Sequence, residues 1–206
     1  MKKIKSLVRR NHLRKCFSSL SEKTILSNNC IAYFIYKDLN CKYFSPTIGV
    51  QIPILDFVKF INNIDYYAEQ QLIEGESKDF EFDFRNVGGG NIDFPCAYLG
   101  DIKIMFQHEK HFNEAKEKWM RRMQRTKKDP IVIIWVHSYE LSQNVVEKIE
   151  SVKKQKIVLT DAKIMKKYRD WFYLKMPQGK EWWEQDNIGL RYFEKLRWNK
   201  MLKERM

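Results

Sequence analysis

The sequence predicts an α/β fold, a three-layer α/β/α sandwich around a mainly parallel, Rossmann-like sheet. Three observations predict it. Short apolar runs with β-branched residues recur, as in KTILS, PIVIIWV and KIVLT. Between them lie segments whose apolar residues fall at helical spacing. PIVIIWV is apolar almost throughout, the pattern of a central parallel strand covered on both faces. Strands that alternate with helices over most of a chain place helices against a parallel sheet.

Residues 5–20 form the first expected helix, with Leu13, Cys16, Phe17 and Leu20 on one stripe. KTILSNN reads as a short buried strand that ends in turn-formers. SPTIGVQIP, with a proline near each end, suggests a second short strand or an extended loop. LDFVKFINNIDYYAEQQL is helical, with Leu55, Val58, Phe60, Ile61, Ile64 and Tyr67 on one face and Pro53 or Asp56 at its start. EGESKDFEFDFRNVGGGNIDFP reads as the clearest loop, because it is acidic and contains Gly88-Gly89-Gly90. A phosphate cradle should run from strand into helix, and this glycine run leads to Pro95, so a hairpin or lid fits better. YLGDIKIMF is read as a strand and HEKHFNEAKEKWMRRMQRTKK as a helix. PIVIIWV follows, then the helix SYELSQNVVEKIESVKK, with Leu141, Val145, Val146 and Ile149 on one face. KIVLT is a buried strand ending at Asp161, WFYLKM is one more, and a basic helix from about Glu184 to Arg205 closes the chain.

Residues 1–206 therefore read as a single α/β domain with basic helical segments at both ends, about 1–20 and 184–206. A chain of 206 residues suits one core, since single cores serve up to roughly 250 residues. No apolar run approaches the roughly 18–20 residues that cross a bilayer. MKKIKSLVRRNHLRK is basic, as the start of an export signal would be, but CFSSLSEKT follows it in place of an apolar stretch. The expected location is cytoplasmic, with peripheral contact at the inner membrane face left open. Cys16, Cys30, Cys41 and Cys96 show no CxxC spacing and are expected to be free thiols. His108 and His111 lack spaced partners for zinc, and no metal or other cofactor is expected.

The net charge of +12 calls for an acidic partner: nucleic acid, an anionic membrane surface or a phosphorylated metabolite such as a nucleotide sugar. The excess sits at the ends, with seven Lys or Arg in residues 1–15 and six in 191–205. Solvated basic helices account for it equally well. Specific nucleic-acid binding is disfavoured, because the aromatic residues are not interleaved with Lys and Arg as stacking platforms require.

Ligands of open parallel sheets bind at the carboxyl ends of the strands. Three polar strand ends qualify: Ser27-Asn28-Asn29-Cys30, Gln107-His108 and Thr160-Asp161. Parallel neighbours would bring their thiol, imidazole and carboxylate to one edge. Cys30 is then a candidate nucleophile and His108 its base, with Asn28 or Asn29 and backbone N–H groups for an oxyanion. Cysteine is also a favoured small core residue and asparagine a common turn residue, so both readings stay open. Arg121 and Arg125 share a helix face, with Arg122 beside it and Trp119 and Met123 on another. Paired guanidinium groups suit a diphosphate, and a solvated helix face fits equally well.

ILSNNCIAYFIYKDL, YFSPTIGVQI leading into DFVKFINNIDYY, and FQHEKHFNEAKEKWMRRMQR resemble, in order and spacing, a bacterial family labelled Domain of unknown function (DUF1919) and associated with exopolysaccharide and capsular polysaccharide biosynthesis. The resemblance spans roughly residues 24–135 and is looser beyond about residue 160. It implies an α/β fold, a setting in surface-polysaccharide assembly, and motif positions at Ser27, Asn28, Asn29, Cys30, Ser45, Pro46, Thr47, His108, Trp119, Arg122 and Arg125. Glu109 and Ile31-Ala32 depart from the Tyr and the Gly-rich step frequent in that family. The resemblance implies no reaction.

The leading expectation is a transferase acting on a sugar nucleotide or lipid-linked saccharide. Glycosyl transfer would use His108 as base and Arg121, Arg122 and Arg125 on a diphosphate; the chain has no DxD motif, which disfavours the metal-dependent form. Acyl transfer would load the group on Cys30, with His108 to activate it; Ser27, Asn28, Asn29, Ser45, Thr47, Trp119, Arg121, Arg122, Arg125 and Asp161 are expected to bind substrate. The competing expectation is a non-catalytic module that docks to anionic membrane or to a partner enzyme.

Overall fold

The computed structural model describes residues 23–86, 90–163 and 168–173. The helix expected over 5–20, Gly88-Gly89 and the basic helix at 184–205 lie outside the described residues. In chain order the elements are β1 (Ile25–Ser27), α1 (Ile31–Leu39), α2 (Ile54–Asn62), α3 (Ile64–Ala68), β2 (Leu72–Gly75), a 3-10 turn (Ser77–Asp79), α4 (Glu81–Asn86), β3 (Cys96–Leu99), β4 (Ile102–Met105), α5 (Phe112–Met123), β5 (Ile131–Val136), a second 3-10 turn (Ser138–Glu140), α6 (Gln143–Glu150), β6 (Lys156–Thr160) and β7 (Trp171–Tyr173).

The fold is mixed α/β. A parallel sheet runs in the order β1-β5-β6-β7. All six residues of β5 are buried, as expected of a strand covered on both faces. Ile131, Ile133 and Trp135 pack with Ile31, Ala32, Ile35 and Tyr36 of α1. The alternate residues Val132, Ile134 and Val136 pack with Phe57, Phe60 and Ile61 of α2 and with Val145 and Ile149 of α6. The period of two in a strand makes this division. Helix α6 joins β5 to β6, and the hydroxyl of Ser142 accepts from Val145 N at its start. The SYE part of the expected helix is the separate 3-10 turn.

A second sheet, β2-β3-β4, is antiparallel, and it corrects three expectations. YLGDIKIMF is a hairpin rather than one strand, because Gly100 takes φ +60° and turns the chain between β3 and β4. The acidic stretch expected to be loop contains the end of β2, a 3-10 turn and α4. Its anchor is Phe80, wholly buried against Cys96 and Met105; Lys103 Nζ holds its backbone at Asp79 O and its carboxylate at Asp83. The helix expected after Pro53 breaks at Asn63, where φ is −132° and the backbone N–H folds back on Lys59 O and Phe60 O.

The segment after SPTIGV carries one bridge rather than a strand. Gln51 and Met105 exchange backbone hydrogen bonds of 2.8 and 2.9 Å, and Ile52 N donates to Asn28 O at 3.1 Å. These bonds stitch β4 to the end of β1, so the segment after β4 comes to lie beside the turn after β1. Among the described residues, no helix is long and apolar enough to cross a membrane.

Candidate functional site

Strand β1 stops at Ser27 because a side chain takes over its ladder. Asn28 Nδ2 donates to Trp135 O and Asn28 Oδ1 accepts from Trp135 N, both at 2.8 Å. The chain then turns into α1. Ser27 Oγ donates to Asn29 O at 2.6 Å and accepts from Ala32 N at 3.1 Å, while Asn29 Oδ1 accepts from Ile31 N at 3.0 Å. Two of the helix's unpaired N–H groups are thereby satisfied. Cys30 is the residue immediately before α1.

His108 follows β4, in a turn closed by Glu109 N donating to Phe106 O. Its imidazole Nε2 lies 3.1 Å from Cys30 Sγ. Cys30 is half-buried and His108 exposed, so the pair is open to solvent. Burial pushes the thiol up to about 11. A thiol held protonated in this way is placed to donate to Nε2 whenever that ring nitrogen carries no proton of its own.

The loop Ser45–Gly49 braces this pair. Ser27 N donates to Thr47 Oγ1 at 3.0 Å, the Ser45 and Thr47 hydroxyls are 3.0 Å apart, and Thr47 N donates to Ser45 Oγ. Ser27, Ser45 and Thr47 are wholly buried, so their polar atoms hold the fold together rather than face solvent. Gly49, at φ +76°, lies against the His108 ring.

The arginine helix is also turned inward. Arg122 Nη1 donates to Ile48 O at 2.9 Å and its guanidinium lies over Tyr43. Arg125 Nη1 donates to Tyr43 O at 3.3 Å. Arg121 is exposed. The expected grouping of Arg121 with Arg125 on one ligand-facing side is therefore replaced by Arg122 on the loop and Arg125 on the segment just before it. Trp119 is buried between Phe60 and Phe106, a core position. Glu109 pairs with Lys118.

Asp161 belongs to a second constellation. Its Oδ1 accepts from Ser138 N at 2.6 Å and its Oδ2 lies 3.6 Å from His137 Nδ1. Trp135 Nε1 donates to His137 Nε2 at 2.8 Å, and Tyr139 stacks on the imidazole. Asp161 is thus set against His137 and not against His108, because β5 lies between β1 and β6 in the sheet. His137 was not anticipated. It follows the apolar run IVIIWV as His108 follows IKIMF, and the same strand-end rule points to it; the expected elements pass from that strand to a helix beginning at Ser138 and leave His137 between the two. Glu140 accepts from His137 N at 2.8 Å. Burial, then the nearby Asp161, raise its carboxyl to about 7, against the opposing pull of that hydrogen bond. Glu140 and Tyr139 border a cavity of about 690 Å³ that Asp56, Asp83, Tyr98 and Lys103 also line. Among the described residues, no group of three or more His, Cys, Asp or Glu is arranged to hold a metal ion.

The family model described as Domain of unknown function (DUF1919) matches residues 3–200, a longer span than the motifs alone cover. A protein of Haemophilus influenzae named only "Uncharacterized protein" is 27% identical over 177 residues, which is 85% of this chain and 76% of that protein.

Proposed function

We propose that this chain, which belongs to the DUF1919 family, is a transferase that carries an acyl group on Cys30 and passes it to a saccharide hydroxyl. The observation that carries this reading is the 3.1 Å approach of Cys30 Sγ to His108 Nε2 at the start of α1. A thiol raised to about 11 supplies little standing thiolate at neutral pH, so the nucleophile depends on a base within reach. His108 is that base.

The donor is an acyl thioester. As Sγ bonds to its carbonyl carbon, the Cys30 proton passes to His108 Nε2; the donor's C–S bond breaks, and its sulfur leaves with that proton. The saccharide hydroxyl then gives its proton to Nε2 as its oxygen attacks the acyl carbon. Cys30 Sγ leaves and takes the proton back. Developing oxyanion charge is met by Asn29 Nδ2 and the Cys30 N–H, which the hydrogen bonds of the turn leave free among the described residues. Asn28 is unsuited to that role, because both ends of its amide are spent on Trp135.

The saccharide acceptor, and a cytoplasmic setting at the inner membrane face, rest on the resemblance of SNNC, SPT and H-x(10)-W-x-x-R to surface-polysaccharide proteins. A nucleotide sugar as donor is less favoured, since Arg122 and Arg125 are engaged by backbone carbonyls. Helices against both faces of the parallel sheet support reading the fold as a Rossmann-like three-layer α/β/α sandwich.

Incubation with labelled acyl thioesters, followed by intact-mass measurement, tests the reaction. One acyl adduct on Cys30 is expected, and full transfer by C30A would overturn it. The net charge of +12 favours a second reading, a module that docks to anionic membrane. Sedimentation with anionic vesicles that weakens as salt rises would support it.

A further inference from the structure

We propose that Arg122 is a positioning residue for the Cys30–His108 pair, acting through the loop Ser45–Gly49 rather than on a ligand; this rests on the reading of the pair as nucleophile and base. Its hydrogen bond goes to Ile48 O at 2.9 Å. The next residue, Gly49, forms a wall behind the imidazole: a Cβ there would lie 3.5 Å from His108 Cδ2 and 3.6 Å from His108 Cβ. At its other end the loop receives Ser27 N on Thr47 Oγ1, and Ser27 Oγ in turn holds Ala32 N at the start of α1. One short loop therefore touches the nucleophile's turn and the base's ring, and Arg122 is the side chain that fixes it between the two.

The distance between Sγ and Nε2 depends on that fixation. A misplacement of about 1 Å in a reacting pair can cost on the order of a hundredfold in rate. The loop has other anchors on both flanks: Arg125 on Tyr43 O, Thr47 on Ser27 N, and the Gln51–Met105 bridge. Loss of the Arg122 bond should free the Ile48–Gly49 corner while the fold stands.

The test follows alkylation of Cys30 by iodoacetamide from about pH 6 to about pH 10 in the full chain, on the Cys30 peptide so that the other thiols do not contribute. Across the neutral part of that range the wild type should react faster than H108A. R122M should slow this His108-dependent reaction about tenfold or more, and R122K, whose ammonium can still donate to Ile48 O, should restore it to within a few-fold. A wild-type rate in R122M overturns the positioning role while the pair stands. A wild-type rate in H108A overturns the pair, and the positioning role with it. If R122M loses its cooperative thermal transition, R122K and G49A carry the test. R122K is then expected near wild type and G49A slowed, and the reverse order overturns the proposal.

Discussion

Asn28 and Trp135 are joined side chain to backbone by two hydrogen bonds of 2.8 Å, one in each direction. The amide of Asn28 copies a peptide group and completes the β1–β5 ladder one residue past the last strand residue of β1. The same bonds leave the following residues free to turn into α1 and carry Cys30 outward.

Removing this mimic should be costly. In N28A, Trp135 N–H and C=O both lose partners in a buried place, at about 1–3 kcal/mol each when uncompensated. Urea unfolding should show a loss of about 2–6 kcal/mol. N28D should fare no better, since a carboxylate would accept from Trp135 N but face Trp135 O with a second acceptor. A loss below about 1 kcal/mol in N28A would show that water or backbone movement replaces the amide.

Trp119 is expected to matter for stability and not for substrate. It packs its ring on Phe60 and Phe106 with centroid distances of 5.7 and 6.2 Å. W119A should cost about 3–5 kcal/mol, whereas W119F should retain the fold with unchanged KM for any substrate found. A raised KM in a W119F protein of normal stability would return the indole to the binding site.

The strand and helix pattern was legible where one periodicity ruled. β5 and β6 read as apolar runs because both faces are covered, and Val145 and Ile149 read as the buried face of α6. The YLGDIKIMF hairpin was not legible, because a single Gly100 in positive φ divides a run that looks continuous. Cys30 and His108 were placed together for a reason the fold does not use: β4 lies in the antiparallel sheet, and the Gln51 bridge, not a shared parallel sheet, brings His108 to the turn. Arg122 shows the other limit. A basic residue type states that a guanidinium is present, not whether it meets a phosphate or the carbonyl of Ile48.

Gly75 tests whether the acidic stretch 74–86 is packed structure. A Cβ built there would fall 2.5 Å from Phe80 Cε2 and 3.0 Å from Tyr98 Cε2. Phe80 is wholly buried and has little room to retreat. G75A should therefore destabilise by about 1–3 kcal/mol through overpacking, and hydrogen exchange should rise across β2 and the 3-10 turn. Unchanged exchange and stability would mean that Phe80 is not held as described.

Glu140 makes stability depend on pH in a direction opposite to that of a paired carboxylate. Its carboxyl ionises at about 4.5 when unfolded and about 7 in the fold, so the fold favours the protonated form. Below about pH 4.5 both states bind the proton and there is no penalty. As pH rises from there to about 7, the unfolded chain releases its proton first, and stability falls by at most about 3 kcal/mol. E140Q keeps an oxygen that accepts from His137 N and removes the titration. It should therefore gain stability relative to the wild type at pH 7.5 and match it near pH 4. Denaturant midpoints at the two pH values would check this. An E140Q protein less stable than wild type at pH 7.5 would show that the charged carboxylate is favoured at the end of β5, through the hydrogen bond it accepts from His137 N.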